Sequence, residues 1–473
     1  DLHSFPTRRS SDLALTASYA NGSRVLALDL QASEGAGGIA ASLLGLPGTP
    51  AVDLTVKGTG PLDDYAADLR LLSDGEERLA GRVSVSVPGA DEPQGALGFT
   101  ANLGGDLAPL FAPDYAEFFG PEVALQAIGA KGADGRLDLS QLQVTTRALE
   151  LGGSLSLAAD GLPEKIDLKG QLGLDGKPVL LPLTTEERTL VDHADLVITF
   201  DAAQDEAWTA NVQVQRLSRA DLTAESARII GNGAIVRDAT PRNAWGLLDI
   251  TLAGLAPRDP ALAKALGDQL TGQVAFQWTE GQPTFDLTAL TLNGPDYRFD
   301  GKLSIGGLDS ALTLAGAGDL TADDLSRFAD LAGQPLAGRA SATLAGQTAL
   351  LTGAFDVTGQ VRGNGLKIGV AEVDSLLSGA STIDLVVTRD ESGTRLDRLD
   401  IAAASLTAKA KGTIATAGSD ITADLAFADL RALGPQYRGS LNGLARFQGT
   451  PEAGRVSLDT GGQSLAIGMP EAD

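Results

Sequence analysis

Cysteine is missing from all 473 residues, which removes disulfides, thiolate nucleophiles and Cys-ligated zinc or iron–sulfur centres from consideration. Histidine is nearly missing as well, with His3 and His193 the only two. A Ser-His-Asp arrangement needs a base within hydrogen-bonding distance of a serine, and no G-x-S-x-G elbow accompanies His193. Basic residues are few: 36 Lys and Arg face 61 Asp and Glu, for a net charge of −25. Nucleic-acid binding depends on neutralising phosphates with cations, so that balance argues against it. It equally disfavours a basic patch docking on an anionic membrane surface. Aromatics make up only 4% of the chain, and Trp208, Trp245 and Trp278 are too few to suggest a carbohydrate platform. No run of about 18 apolar residues occurs, so no transmembrane helix is expected inside the sequence.

Other chemistry fails on spacing. Gly231-Asn232-Gly233 and Gly316-Ala317-Gly318 lack the third glycine of a dinucleotide fingerprint, and no Walker-type Gly-Lys-Ser/Thr is present. Asp323-Asp324 reads as charge complementing a helix N-terminus, and Asp63-Asp64 and Glu76-Glu77 as solvated turns. The expectation is a protein that is not an enzyme, with no catalytic residues, no cofactor and no metal.

What is present is alternation. Tyr297-Arg298-Phe299-Asp300-Gly301-Lys302-Leu303-Ser304-Ile305 puts apolar residues and glycine on one face and charged or hydroxyl residues on the other. Ile166–Leu174 and Leu79–Val87 do the same. A period of two is the pattern of a strand with one face in water and one hidden. Asn21-Gly22, Asp74-Gly75, Asp134-Gly135, Asp160-Gly161, Asp175-Gly176, Asn232-Gly233, Asn364-Gly365 and Asn442-Gly443 have the composition of tight turns, because these residues tolerate positive φ. Short connections make neighbouring strands antiparallel.

Helical signals recur in one context. Thr321 reads as a cap with Asp324 three residues on, followed by Leu325, Phe328 and Leu331 and closed by Gly333. Asp259-Pro260 opens a second stretch with Leu262, Leu266 and Leu270 on one face. Insertions are thus expected near 106–119, 259–270, 321–332 and 429–433. Each is followed by a similar re-entry into strand, such as Leu336-Ala337-Gly338 or Leu270-Thr271-Gly272. The fold class expected is mainly β: a long, curled antiparallel sheet, trough-like or solenoid-like, with a few short helical insertions. It occupies residues 14–473. Residues 1–13 differ in style, resemble translated sequencing-adapter sequence, and are set apart from the fold.

The hidden face is short of large side chains. Glycine reaches 58 residues, whereas a sandwich core about 10 Å thick needs bulk from both sheets. Two readings stay open on composition: a tightly wound solenoid filled by small residues, or a trough not filled by its own side chains. In the second, Leu168, Leu172, Phe299, Leu303, Ile305, Phe355 and Val357 are candidate groove-lining residues.

The run Gly363-Asn364-Gly365-Leu366-Lys367-Ile368-Gly369-Val370-Ala371-Glu372-Val373-Asp374-Ser375-Leu376-Leu377-Ser378-Gly379, with Leu396–Ile401, Leu406–Ile414 and the repeated Leu-x-Gly strands, resembles the translocation and assembly module subunit TamB family, within the AsmA-like envelope proteins. The resemblance covers most of residues 14–473 and lies in repeat style. It implies a periplasmic protein anchored in the bacterial inner membrane through sequence outside this chain. The groove would carry phospholipid acyl chains between the membranes, support outer-membrane protein assembly with a barrel partner, or do both. The alternative is a secreted structural β-repeat protein, adhesin- or passenger-like, with a self-packed core. A polysaccharide-active enzyme is a distant third.

Overall fold

A computed structural model describes residues 12–468 apart from 23, 44, 62, 88–95, 184–187, 308–311, 350–351, 416–417 and 451–452. Residues 1–11 of the segment set apart above lie outside the described residues, while Asp12 and Leu13 belong to the first strand, Asp12–Ala20. The protein is mainly β. Its 29 strands form long antiparallel sheet that does not close, with a few short helices between them. The chain divides into two compact units, Asp1–Ile235 and Val236–Asp473.

In the first unit the ladder starts at Asp12–Ala20, whose described pairing is with Val25–Glu34 alone, and passes strand by strand to Leu222–Val236. In the second unit it runs from Asn243–Ala253 to Gly454–Ile467, which pairs with Tyr437–Gly449. Successive connections in such a ladder alternate between its two ends. Among the described residues, the helices of each unit fall at the same end. They are Ile39–Leu43, Ala108–Leu110, Pro113–Tyr115 and Ala116–Phe119 in the first unit. The second unit has Pro260–Leu266, Leu325–Phe328, Ala329–Ala332, Ala371–Leu376 and Leu430–Leu433. We call this end the helical rim and the opposite end the hairpin rim.

The four expected insertions are helical, with adjusted ends. Asp259 caps Pro260–Leu266 by accepting from the amides of Ala261 and Leu262. That helix stops at Gly267, φ 78°, so Leu270 lies in the strand Gln269–Thr279 rather than on the helix face. Thr321 is not a cap. It lies within the strand Thr313–Ala322, and Asp324 accepts from the Ser326 amide instead. Gly333 ends its helix in the left-handed region at φ 62°.

Asp74-Gly75 turns with both residues at positive φ, as a type I′ hairpin requires. Three expected turns are not turns. Asn232-Gly233 sits inside Leu222–Val236, where Gly233 is the register partner of Trp208. Asn364-Gly365 lies in Ala354–Lys367, at a register shift against Ala337–Ala349. Asn442-Gly443 is within Tyr437–Gly449 and is paired on both sides.

Candidate apolar face and its two rims

Direct partners in an antiparallel ladder point the same way, so the register sorts side chains into rows across the strands. One row in the first unit reads Leu15, Leu30, Val56, Leu69, Gly81, Leu103, Leu125, Val144, Leu151, Gly170, Leu196, Val212, Ile229. It contains no polar side chain over its whole course. A neighbouring row on the other face reads Asp29, Lys57, Asp68, Arg82, Asn102, Gln126, Gln143. The second unit repeats the division. Leu303, Gly316, Gly346, Val357, Val387, Leu396, Gly412, Ile421 and Phe447 share one row. Asp300, Asp319, Thr343, Gln360, Asp384 and Asp400 share another on the opposite face.

The polar rows are held by side-chain pairs along the ladder. Arg82 donates to both carboxylate oxygens of Asp68 at 2.8 and 3.1 Å, Thr343 donates to Asp319 at 2.6 Å and Gln360 to Asp384 at 2.6 Å. The Arg82 hydrogen bond holds the Asp68 carboxyl below its usual range. Arg298 and then Thr291 do the same for Asp300. The Arg82–Asp68 and Arg298–Asp300 ion pairs are solvent-exposed, so they fix rotamers more than they stabilise the fold.

Apolar rows without a second layer have only lateral cover. Phe200 and Val191 are the largest fully buried side chains among the described residues. Most large residues of the apolar rows are half-buried, and Leu344, between Gly318 and Gly359, remains 43% exposed. At the helical rim the same face is covered. Phe118 packs with Ala148 and Val179 against Leu149 and Leu172. Leu376 packs with Leu406 and Ala408 against Ile401, Leu425 and Phe427. Tyr297, in line with Phe299 on the apolar side, meets the Phe328 ring edge-on at 5.6 Å between centroids, and its hydroxyl donates to the Leu266 carbonyl at 3.3 Å. Burial pushes the Tyr297 hydroxyl's pKa up. Arg327 clasps neighbouring helical segments, donating to the Lys264 carbonyl at 2.9 Å and to Asp296.

Of the seven expected lining residues, Phe299, Leu303 and Val357 come together in one concavity of about 390 Å³, with Leu290, Leu314 and Leu344. Ile305 and Phe355 are half-buried on the same face, Ile305 opposite Phe285 and Leu314, Phe355 opposite Thr348. In the first unit Leu168 stands between Gly153 and Ile198. Leu172 is different: it packs against the Phe118 cluster under the helical rim, so its apolar contacts are made within the chain. Leu290, Leu314 and Leu344 follow the same alternation and were findable from it. What one strand read alone does not show is that glycines opposite Leu303 and Leu344 open the dip.

His193 begins the strand His193–Asp201 and lies 3.2 Å from the Asp195 carboxylate. Among the described residues no three His, Cys, Asp or Glu side chains are grouped to hold a metal ion, and no helix is long and apolar enough to cross a membrane. No family model matches the chain, and neither a curated protein nor a solved structure matches it.

Proposed function

We propose that the chain shelters the acyl chains of lipids along its apolar face, as part of a conduit for phospholipid between the inner and outer bacterial membranes. The observation that carries this reading is the unbroken apolar row in each unit, half-buried away from the helical rim. Withdrawing a methylene from water is worth about 0.8 kcal/mol. A diacyl lipid crossing an aqueous gap therefore meets a barrier on the order of 20 kcal/mol, which a continuous apolar surface lowers without any catalytic group. On this reading the protein is not an enzyme and takes no cofactor. It works in the periplasm, held to the inner membrane by sequence outside this chain, and the resemblance to the TamB family adds an outer-membrane barrel partner.

The small cores under the helical rim favour the second reading, a secreted structural repeat with a self-packed interior. Photo-crosslinkers placed at Leu303, Ile305 and Lys302 in the full chain separate the two. Leu303 and Ile305 share the apolar face, and Lys302 projects from the other. Lipid adducts from the first two positions and none from Lys302 are expected, read by mass spectrometry. Absence of lipid, or equal labelling from both faces, overturns the conduit.

A further inference from the structure

The two rims of the apolar face differ, and the difference gives a sheltered amphiphile a direction. At the helical rim of the second unit the face ends under Leu376, Leu406 and Ala408. At the hairpin rim the strand Ala380–Asp390, which pairs with the strand carrying Ile401 and Ala403 of that cluster, has a cation at its penultimate position. Arg389 pairs with Phe355 on one side and Thr394 on the other, which places it on the apolar side in line with Val387, Leu385 and Ile383. It is exposed, and it has no ion pair or side-chain hydrogen bond among the described residues. Arg82, Arg298 and Arg446, by contrast, project from the polar face and are paired with aspartates there.

We propose that Arg389 receives the anionic headgroup of a phospholipid whose acyl chains run along the strand Ala380–Asp390 toward the helical rim. This rests on the lipid-sheltering reading above and adds the headgroup class and the orientation. The lane from Arg389 to Ser381 is about 26 Å long at about 3.3 Å per residue. The hydrocarbon of one leaflet is about 15 Å, half of a core about 30 Å thick, so a chain of that length fits with its methyl end short of the Leu376 cluster. A guanidinium offers several donors in a fixed fork, suited to a phosphate. At the mouth of an apolar lane it would otherwise have only water. The first unit repeats the arrangement independently. Lys131, exposed and without an ion pair among the described residues, ends the strand Val123–Lys131 at the hairpin rim, opposite Leu97 and Leu137.

The test uses the full chain and vesicles of phosphatidylcholine carrying either an acyl-labelled phosphatidylglycerol or a diacylglycerol with the same labelled chains. Uptake of phosphatidylglycerol is expected to be about tenfold tighter than uptake of diacylglycerol. Arg389→Glu should bring phosphatidylglycerol down to the diacylglycerol level, Arg389→Lys should keep most of the preference, and diacylglycerol uptake should be unchanged in both. Leu303→Asp should weaken both lipids. If the unaltered chain takes up both and Arg389→Glu leaves their ratio unchanged, the headgroup assignment fails while the sheltering reading stands. If the unaltered chain takes up neither, both fail. If glycerol 3-phosphate alone displaces phosphatidylglycerol at matched affinity, Arg389 is a free-phosphate site and the assignment to a lipid is overturned.

Discussion

At the residue scale the glycines explain how rows of leucine stay continuous across so many strands. Gly153 has φ 146°, and a Cβ there would overlap the carbonyl oxygen of Asp167 on the next strand. Its absence lets the two backbones approach, and Leu168 stands beside the gap. Gly161 has φ 83°, but a Cβ there would meet nothing within 4 Å, at a turn open to solvent. The two positions therefore answer differently to substitution. Gly153→Ala should destabilise its strands by about 1–3 kcal/mol, the cost of strained backbone, seen as faster hydrogen exchange across Leu149–Leu157 and Pro163–Leu172. Gly161→Asn should change exchange little, because Asn tolerates the left-handed region. Equal effects would mean that close approach at Gly153 does not constrain the sheet. The abundance of glycine left two readings open on composition. The roles differ by position: some glycines admit a neighbouring backbone, and others, such as Gly318, where a Cβ would overlap the Phe299 ring, admit a ring.

Elements were legible where one local signal decided them. Alternation gave the strands because a period of two needs no knowledge of partners. Asp259 with Pro260, and Gly333 at the end of its helix, behaved as their chemistry requires. Asn-Gly pairs misled where tertiary pairing overrode turn preference, since Asn442-Gly443 gains more from two ladder neighbours than from a turn. Ile39–Leu43 and Ala371–Leu376 gave no such signal, and Val370 at the head of the second makes no side-chain cap. Arg389 and Lys131 were invisible for another reason, because their significance is a rim and a face, which exist only once register is known.

The misplaced cap makes its own prediction. Asp324 accepts from the Ser326 amide at 2.9 Å and from its hydroxyl at 2.8 Å, and the backbone bond is the larger cause of a pKa below the usual 3.8. A carboxyl depressed in the folded state adds stability that is present above 3.8 and is lost as pH falls through the lower folded value. The turn Leu325–Phe328 should thus loosen in acid below pH 3.8, read by NMR at the Ser326 amide. Asp324→Asn should keep the turn and lose the acid step; Asp324→Ala should loosen it at every pH. An acid step that survives in Asp324→Asn would place the titrating group elsewhere.

At the scale of the whole molecule, each unit is a succession of strands held chiefly by their neighbours in sequence, with no large buried core among the described residues to make opening all-or-none. Stability in such a ladder is close to a sum of nearest-neighbour terms, and opening propagates from an end. The ends differ from the interior in measurable ways. Gly454–Ile467 is exposed along its whole length, including Val456 at 63% and Leu458 at 66%, and Leu15 in Asp12–Ala20 is 61% exposed. Both strands belong to the apolar rows but have a described neighbour on one side only, so they gain about half the lateral cover of an interior strand. Hydrogen exchange should therefore show protection rising over several strands inward from Asp12–Ala20 in the first unit and from Gly454–Ile467 in the second. The clusters around Phe118 and Leu376 should act as local maxima, because helices add contacts there. A lipid lying across the apolar face bridges strands that otherwise touch only their neighbours, so saturating phosphatidylglycerol should flatten the gradient most where the half-buried rows are widest, around Leu303, Val357 and Val387. A single protection level throughout a unit, unchanged by lipid, would show a self-packed cooperative core and return the choice to the structural-repeat reading.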